Sequence, residues 1–190
     1  MILPIRAFGD SVLRKKCHEI SKDYPDLQEL IANMFETMNN ANGIGLAAPQ
    51  VGLDIRLFVI DVSPLAEDED YEDIADELKK FRKVFINAKI LEESGEEWKF
   101  NEGCLSIPDV REDVKRKETI LIEYFDENFV QHTETFSDIR ARVIQHEYDH
   151  IEGILFTDHL SSLKKKLVKG KLNKISHGEV SINYKMRFPK

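Results

Sequence analysis

The residues best suited to chemistry are His146-Glu147-Tyr148-Asp149-His150. On a helix, two imidazoles at this spacing lie one turn apart on the same face, where both can hold one divalent cation. The glutamate beside the first histidine reaches the same site without ligating, the position of an acid/base for a metal-activated water. The pair prolongs the stripe of Ile139 and Val143, so a metal held there lies in the interior with limited access to water. Two surface histidines on an amphipathic helix are the plain alternative; the complete pentad on a core-facing stripe favours the metal.

A catalytic site of this kind keeps three protein ligands and one open position. The histidine that follows the glycine in one protease class is absent, because the corresponding residue here is Phe156. A distant glutamate would have to be Glu179 or a neighbour in the tail, in a weak context. Cys104, in Asn101-Glu102-Gly103-Cys104-Leu105-Ser106-Ile107-Pro108, is the better third ligand, since a thiolate suits a soft or borderline divalent ion. Taken alone, Cys104 reads as a buried apolar residue. Cys17 keeps that reading. Gly43-Ile44-Gly45-Leu46-Ala47-Ala48-Pro49-Gln50-Val51-Gly52 is a small-residue loop able to press backbone against a ligand, with Gln50 as a neutral amide donor. It lacks the lysine and hydroxyl residue of a phosphate loop.

These residues need a frame. Residues 26–39 read as an amphipathic helix, with Leu27, Leu30, Ile31, Met34, Phe35 and Met38 at helical spacing and Pro25 suiting its start. Residues 55–62 and 83–91 read as strands, and 120–126 with 129–136 as a hairpin turning at Glu127-Asn128. Residues 137–152 form the helix of the two histidines, capped by Ser137 or Asp138 and ended by Gly153. Strands mixed with two long helices and no regular β-α alternation indicate an α+β fold: antiparallel or mixed strands around a central H-E-x-x-H helix. Residues 1–190 read as a single catalytic domain. Within it the acidic stretch 66–80 is expected to be a solvated surface insertion, and 161–190 a basic segment. That segment is expected to break at Gly170 and Gly178, with Val180-Ser181-Ile182-Asn183-Tyr184 alternating like a strand.

The net charge of −8 argues against nucleic acid as the main partner. No apolar run approaches the length needed to span a bilayer, and Met1-Ile2-Leu3-Pro4-Ile5-Arg6 does not read as a signal peptide. Two cysteines argue against a disulfide framework and fit a reducing compartment.

The three chemical elements together resemble the peptide deformylase family. Its motifs G-x-G-x-A-A-x-Q, E-G-C-x-S and Q-H-E-x-D-H are matched by residues 43–50, 102–106 and 145–150 without mismatch. The resemblance runs from Gly9 to about Leu160. It implies that Cys104, His146 and His150 bind the metal, usually Fe(II), with nickel, cobalt or zinc as substitutes. It also implies that Glu147 is the general acid/base, and that Gln50 and the Leu105 N–H stabilise the oxyanion. Ile44 and Gly45 then line the substrate channel, with Arg111 where the family often has a substrate-contacting arginine. The implied substrates are N-formyl-Met peptides of nascent chains, cleaved to formate and a free methionine amine, in a bacterial cytoplasm.

Two rivals remain at this level. A zinc endopeptidase shares H-E-x-x-H but needs a different third ligand and an extended cleft. A non-catalytic domain with a structural metal needs a fourth protein ligand. Lys164, Lys165, Lys166, Lys169, Lys171 and Lys174 raise a further possibility, salt-dependent docking of the basic tail on the ribosome. The bland reading is a solvated helix face whose Leu163, Leu167 and Leu172 pack on the body.

Overall fold

The computed structural model describes residues 1–189. Five antiparallel strands form the main sheet in the order β2-β3-β4-β5-β6: β2 (Gly45–Ala47), β3 (Leu57–Asp61), β4 (Arg82–Cys104), β5 (Ile107–Phe125) and β6 (Gln131–Phe136). A separate parallel pair joins β1 (Ile5–Arg6) to β7 (Met186–Arg187). The helices are α1 (Leu27–Asn40), the single turn α2 (Ala75–Leu78), α3 (Asp138–Ile151) and α4 (Ser162–Ser176). This is the expected α+β arrangement.

The sheet is covered on both faces, which explains why β3, Leu-Phe-Val-Ile-Asp, is buried throughout. Side chains alternate across a strand. Leu57 and Val59 accordingly join α1 residues Ile31, Met34 and Met38 in one core, while Phe58 and Ile60 join Ile139, Val143 and Ile144 of α3 in another. The two histidine-bearing turns of α3 are thus pressed against the inner sheet. A third core, containing Ile107, Val110, Leu155, Phe156, Val168 and Ile175, supports the far end of the hairpin.

The expected strand over 83–91 is the start of a much longer one. β4 continues through Glu92-Glu93-Ser94-Gly95-Glu96-Glu97 to Cys104, paired to β5 with register shifts that include one between Gly103 and Cys104. The extension was hidden because one face is solvated and charged, so it lacks the apolar signature of a buried strand. Its consequence is positional: Cys104 pairs with Ile107 across the Leu105-Ser106 turn, at the tip of a hairpin laid over α3.

The hairpin at Glu127-Asn128 and the start of α3 are as expected. Asp138, at φ +55°, provides the cap by accepting the Arg140 N–H at 2.9 Å; Ser137 makes no capping bond. The acidic stretch exposes Glu67, Asp68, Glu69, Asp70, Glu72 and Asp73. It is nonetheless anchored, with Leu78 fully buried and Leu65, Ala66, Tyr71 and Ile74 packed against the α3 core.

The C-terminal segment departs from expectation in three ways. α4 runs unbroken through Gly170, where nothing lies within 4 Å of a built Cβ; an exposed helical glycine costs about 1 kcal/mol relative to alanine, too little to stop a packed helix. Its buried face is Val168 and Ile175 with Leu172 beside them, whereas Leu163 and Leu167 are 69% and 71% exposed. Residues 180–184 do alternate between outward and inward positions, but strand pairing begins only at Met186, where β1 supplies a partner. Gly178, at φ +74°, does end the helical region. No helix among the described residues is long and apolar enough to cross a membrane.

Candidate metal centre and active site

α3 presents His146 and His150 one turn apart, their ring centroids separated by 5.1 Å, and the hairpin tip brings Cys104 onto them. Cys104 Sγ lies 3.3 Å from Nε2 of His150, and one ligand atom from each of the three residues falls within 4.8 Å of the others. Tetrahedral bonds of ordinary metal–sulfur and metal–nitrogen length place ligand atoms roughly 3.6 Å apart, so the triad has the dimensions of a metal site. Phe156 is no ligand: it is buried with its ring stacked on His146, centroids 6.1 Å apart.

The residue that orients this triad is Glu102, for which the sequence reading has no role. Its carboxylate is buried and accepts from Nδ1 of His146 at 2.9 Å, from Arg116 at 2.7 and 3.0 Å, and from Arg142 at 2.9 Å. Occupying Nδ1 leaves Nε2 of His146 for a metal. Burial opposes the Glu102 charge, but the hydrogen bonds from His146 and Arg116 override it, holding the carboxyl well below the usual range. Arg116 also donates to Asp149 at 2.7 Å, which in turn contacts Nε2 of His159 at 2.7 Å. Arg142 is locked by the carbonyls of Trp98 and Val114 and by the Trp98 ring, 4.4 Å away. A signal existed for Arg142: it precedes His146 by four residues and therefore shares its inward stripe, where a charge demands a buried partner.

Burial works against a proton on His146, yet hydrogen bonding with Cys104 and Glu102 raises its pKa well above an ordinary imidazole. His150 is pushed down to about 3 by burial and by the neighbouring His146, which keeps it in the neutral, ligating form. No protein partner among the described residues satisfies its Nδ1.

Glu147 shares the site. It is 4% exposed, its Oε2 has no protein partner among the described residues, and burial pushes its carboxyl up to about 7. It presses on the backbone of Gly45: a Cβ built there would fall 2.7 and 2.8 Å from Cδ and Cγ of Glu147. Gln50 is buried, its Oε1 accepting the Ala47 N–H at 2.8 Å. That bond turns the NH2 end toward Ser106 Oγ, at 3.3 Å, and Cys104 Sγ, at 3.5 Å.

A cavity of about 810 Å³ opens onto these groups, and Ile44, Gly45, Gln50, Leu105, Arg111 and Glu147 all line it. The candidate catalytic, substrate-contacting and metal-binding residues named from the sequence are therefore brought to one place, His150 through its cluster with Cys104 and His146. Arg111 stands on the exposed rim, tied to the side chain of Asn101 at 3.0 Å and to its carbonyl at 2.6 Å. Leu65, just before the acidic stretch, Tyr71 within it and residues 181–184 also contribute walls, for which the sequence carries no local signal.

An antiparallel sheet clasping an H-E-x-x-H helix, with a hairpin cysteine brought onto the two histidines in a candidate metal cluster, has the architecture of a metal-dependent hydrolase. Comparison with known proteins makes the assignment specific. The family model for polypeptide deformylase matches residues 2–166. The peptide deformylase of Christiangramia forsetii is 64% identical over 190 residues, covering 100% of this chain and 97% of that one. That of Flavobacterium johnsoniae is 62% identical over 189 residues, covering 99% and 96%. Among solved structures, a peptide deformylase from Legionella pneumophila superposes with a TM-score of 0.79 at 36% identity, covering 94% of this chain and 98% of that one. The chain belongs to the polypeptide deformylase family. Its activity is that of the family, metal-dependent removal of the formyl group from the N-terminal methionine of nascent chains.

Proposed function

We propose that Cys104, His146 and His150 hold the catalytic ion, that Glu147 carries the proton, and that the Gln50 amide and the Leu105 N–H form the oxyanion cradle. The observation that carries this reading is that Glu147, buried and with no protein partner for its Oε2 among the described residues, lines one cavity with Cys104 and His146, while His150 completes their cluster from behind the cavity wall. Fe(II) is the proposed native ion, nickel, cobalt and zinc being workable substitutes for this thiolate–imidazole set. A divalent ion so held supplies Lewis-acid activation of water and of the formyl carbonyl.

The chain's own groups do the rest. Glu147, with a carboxyl pushed up to about 7, is matched to accept a proton from the attacking water and return it to the departing amine nitrogen. As the formyl carbon becomes tetrahedral, the Gln50 NH2 and the Leu105 N–H donate to its oxygen; one such donor is worth about 3 kcal/mol. Gly45 keeps backbone close to Glu147, and this crowding is proposed to admit a formyl hydrogen where an acetyl methyl would clash. The methionine side chain occupies the apolar wall made by Ile44, Leu65, Tyr71 and Val143, and Arg111 on the rim faces the peptide that follows.

Residues 1–190 act as one catalytic unit, in a bacterial cytoplasm. Continuous α4 adds support for ribosome docking, because Lys165, Lys166 and Lys169 stand exposed along it beside Leu163 and Leu167. Replacing the three lysines with glutamine is expected to weaken ribosome co-sedimentation at low salt and spare turnover of a short formyl-Met peptide; unchanged co-sedimentation overturns the docking role.

The activity is tested by formate release from formyl-Met and acetyl-Met peptides, with an internal peptide bond as control. Formate release confined to the formyl substrate is expected. Cleavage of the internal bond at a comparable rate restores the endopeptidase reading.

A further inference from the structure

Leu105 and Ser106 form the turn that carries Cys104 into the site, and both of their carbonyls are held by the chain's two ends. The Tyr184 hydroxyl donates to the Leu105 carbonyl at 2.7 Å, and the Phe8 N–H donates to the Ser106 carbonyl at 2.9 Å. The two ends are themselves joined. Ile5 N–H donates to Lys185 O at 2.9 Å and Ala7 N–H to Arg187 O at 3.0 Å, in the register Ile5 to Met186 and Arg6 to Arg187. Tyr184 is partly buried against the α1 core, and Phe188 packs beside Gly178. Residues 181–184 thus run along the cavity as a strap that is fixed on both sides of its contact with the turn.

We propose that Tyr184 is a positioning residue for the reaction: by pinning the Leu105 carbonyl it restricts the backbone rotation that aims the Leu105 N–H at the developing oxyanion. The inference rests on the reading that this N–H belongs to the oxyanion cradle. The physical argument is one of precision. The carbonyl and the N–H of Leu105 flank a single Cα, so a turn held by one carbonyl alone, that of Ser106, retains a rotation that two anchors remove. A donor misaimed by a few tenths of an ångström costs nothing in ground-state binding of the peptide but weakens the contact that strengthens in the transition state. The strap lies beyond residue 166, where the match to the family model ends.

The test is Tyr184→Phe, which removes one hydroxyl and keeps the ring. Steady-state kinetics on a formyl-Met tripeptide, metal content and amide hydrogen exchange at Leu105 are measured well below the unfolding temperature. Losing a donor outright costs about 100-fold or more in kcat, so loosening its aim is expected to lower kcat roughly 3- to 30-fold. KM is expected to stay within about 2-fold, metal content at the parental level, and Leu105 N–H exchange to quicken. Parental kcat overturns the proposal, as does a fall in kcat that tracks lost metal, because Tyr184 would then act on Cys104. Gln50→Leu tests the cradle separately. Parental turnover in Gln50→Leu removes the cradle reading and this inference with it; reduced turnover there beside parental turnover in Tyr184→Phe removes the inference alone.

Discussion

Glu102 accepts a hydrogen bond from Nδ1 of His146 at 2.9 Å while the same carboxylate binds the guanidinium groups of Arg116 and Arg142, so one buried charge both orients a residue of the candidate metal cluster and pairs with two arginines, Arg116 having Asp149 as a second partner. Breaking a buried pair by removing one partner is costly because the other charge is left uncompensated. Glu102→Gln is therefore expected to destabilise the protein by about 3–5 kcal/mol. It is also expected to weaken metal binding by roughly 10- to 100-fold, since the imidazole loses its carboxylate orienter. Chemical unfolding and competition with a chelator measure the two effects; an unchanged metal affinity would show that His146 needs no such support.

Glu147→Gln preserves the shape of the side chain and removes its ability to take a proton. Metal content is expected to match the parent, because Glu147 is not one of the three residues of the candidate metal cluster. Formate release is expected to fall by about 100- to 10,000-fold, the usual contribution of a positioned acid/base. Normal turnover in this variant would sink the proposed role.

The clustering of Cys104, His146 and His150 is legible in the sequence because each element carries its own rule: helical spacing puts His146 and His150 on one face, and the chemistry of thiolates favours Cys104 over Glu179 as their companion. What escapes is whatever depends on long-range pairing. Nothing local in Glu92–Asn101 tells that this charged stretch is strand, since its signal is the partner β5 and not its own apolarity. Glu102 reads as an ordinary surface acid until Arg116, in the facing strand, and Arg142, on the helix, are brought to it. Gly170 illustrates the opposite error, in which a local propensity is overridden by the packing of Val168 and Ile175 on either side.

Gly45→Ala tests the close approach between the small-residue loop and Glu147, the proposed acid/base. The added methyl would sit 2.7 Å from Cδ of Glu147, a distance real side chains do not show, so the carboxylate must move. Displacement of a catalytic group by about 1 Å costs on the order of 100-fold in rate. The expected outcome is a kcat reduced about 10- to 100-fold with metal retained, measured by formate release and metal analysis; parental kcat would mean that Glu147 has more freedom than its contacts with Gly45 indicate.

Glu152, just beyond α3, controls a different property, the response of stability to acid. Its carboxylate accepts from the buried Arg56 at 2.6 Å and pairs with Lys16 at 3.2 Å, while Arg56 also donates to the Ala88 carbonyl at 2.7 Å. Burial opposes the Glu152 charge, but the hydrogen bond and charge of Arg56 outweigh it, and the folded-state pKa lies below the ordinary value. A depressed carboxyl contributes stability that is complete above the unfolded pKa, about 4.3, and is lost as pH falls through the lower folded value. Glu152→Gln should therefore be less stable than the parent by about 1–3 kcal/mol near neutral pH, since Arg56 keeps only a neutral acceptor. The gap between the two proteins should close as the pH is lowered below about 4. Urea unfolding of both proteins across this range measures it; a gap that stays constant down to the acid limit would show that the loss is one of packing and not of charge.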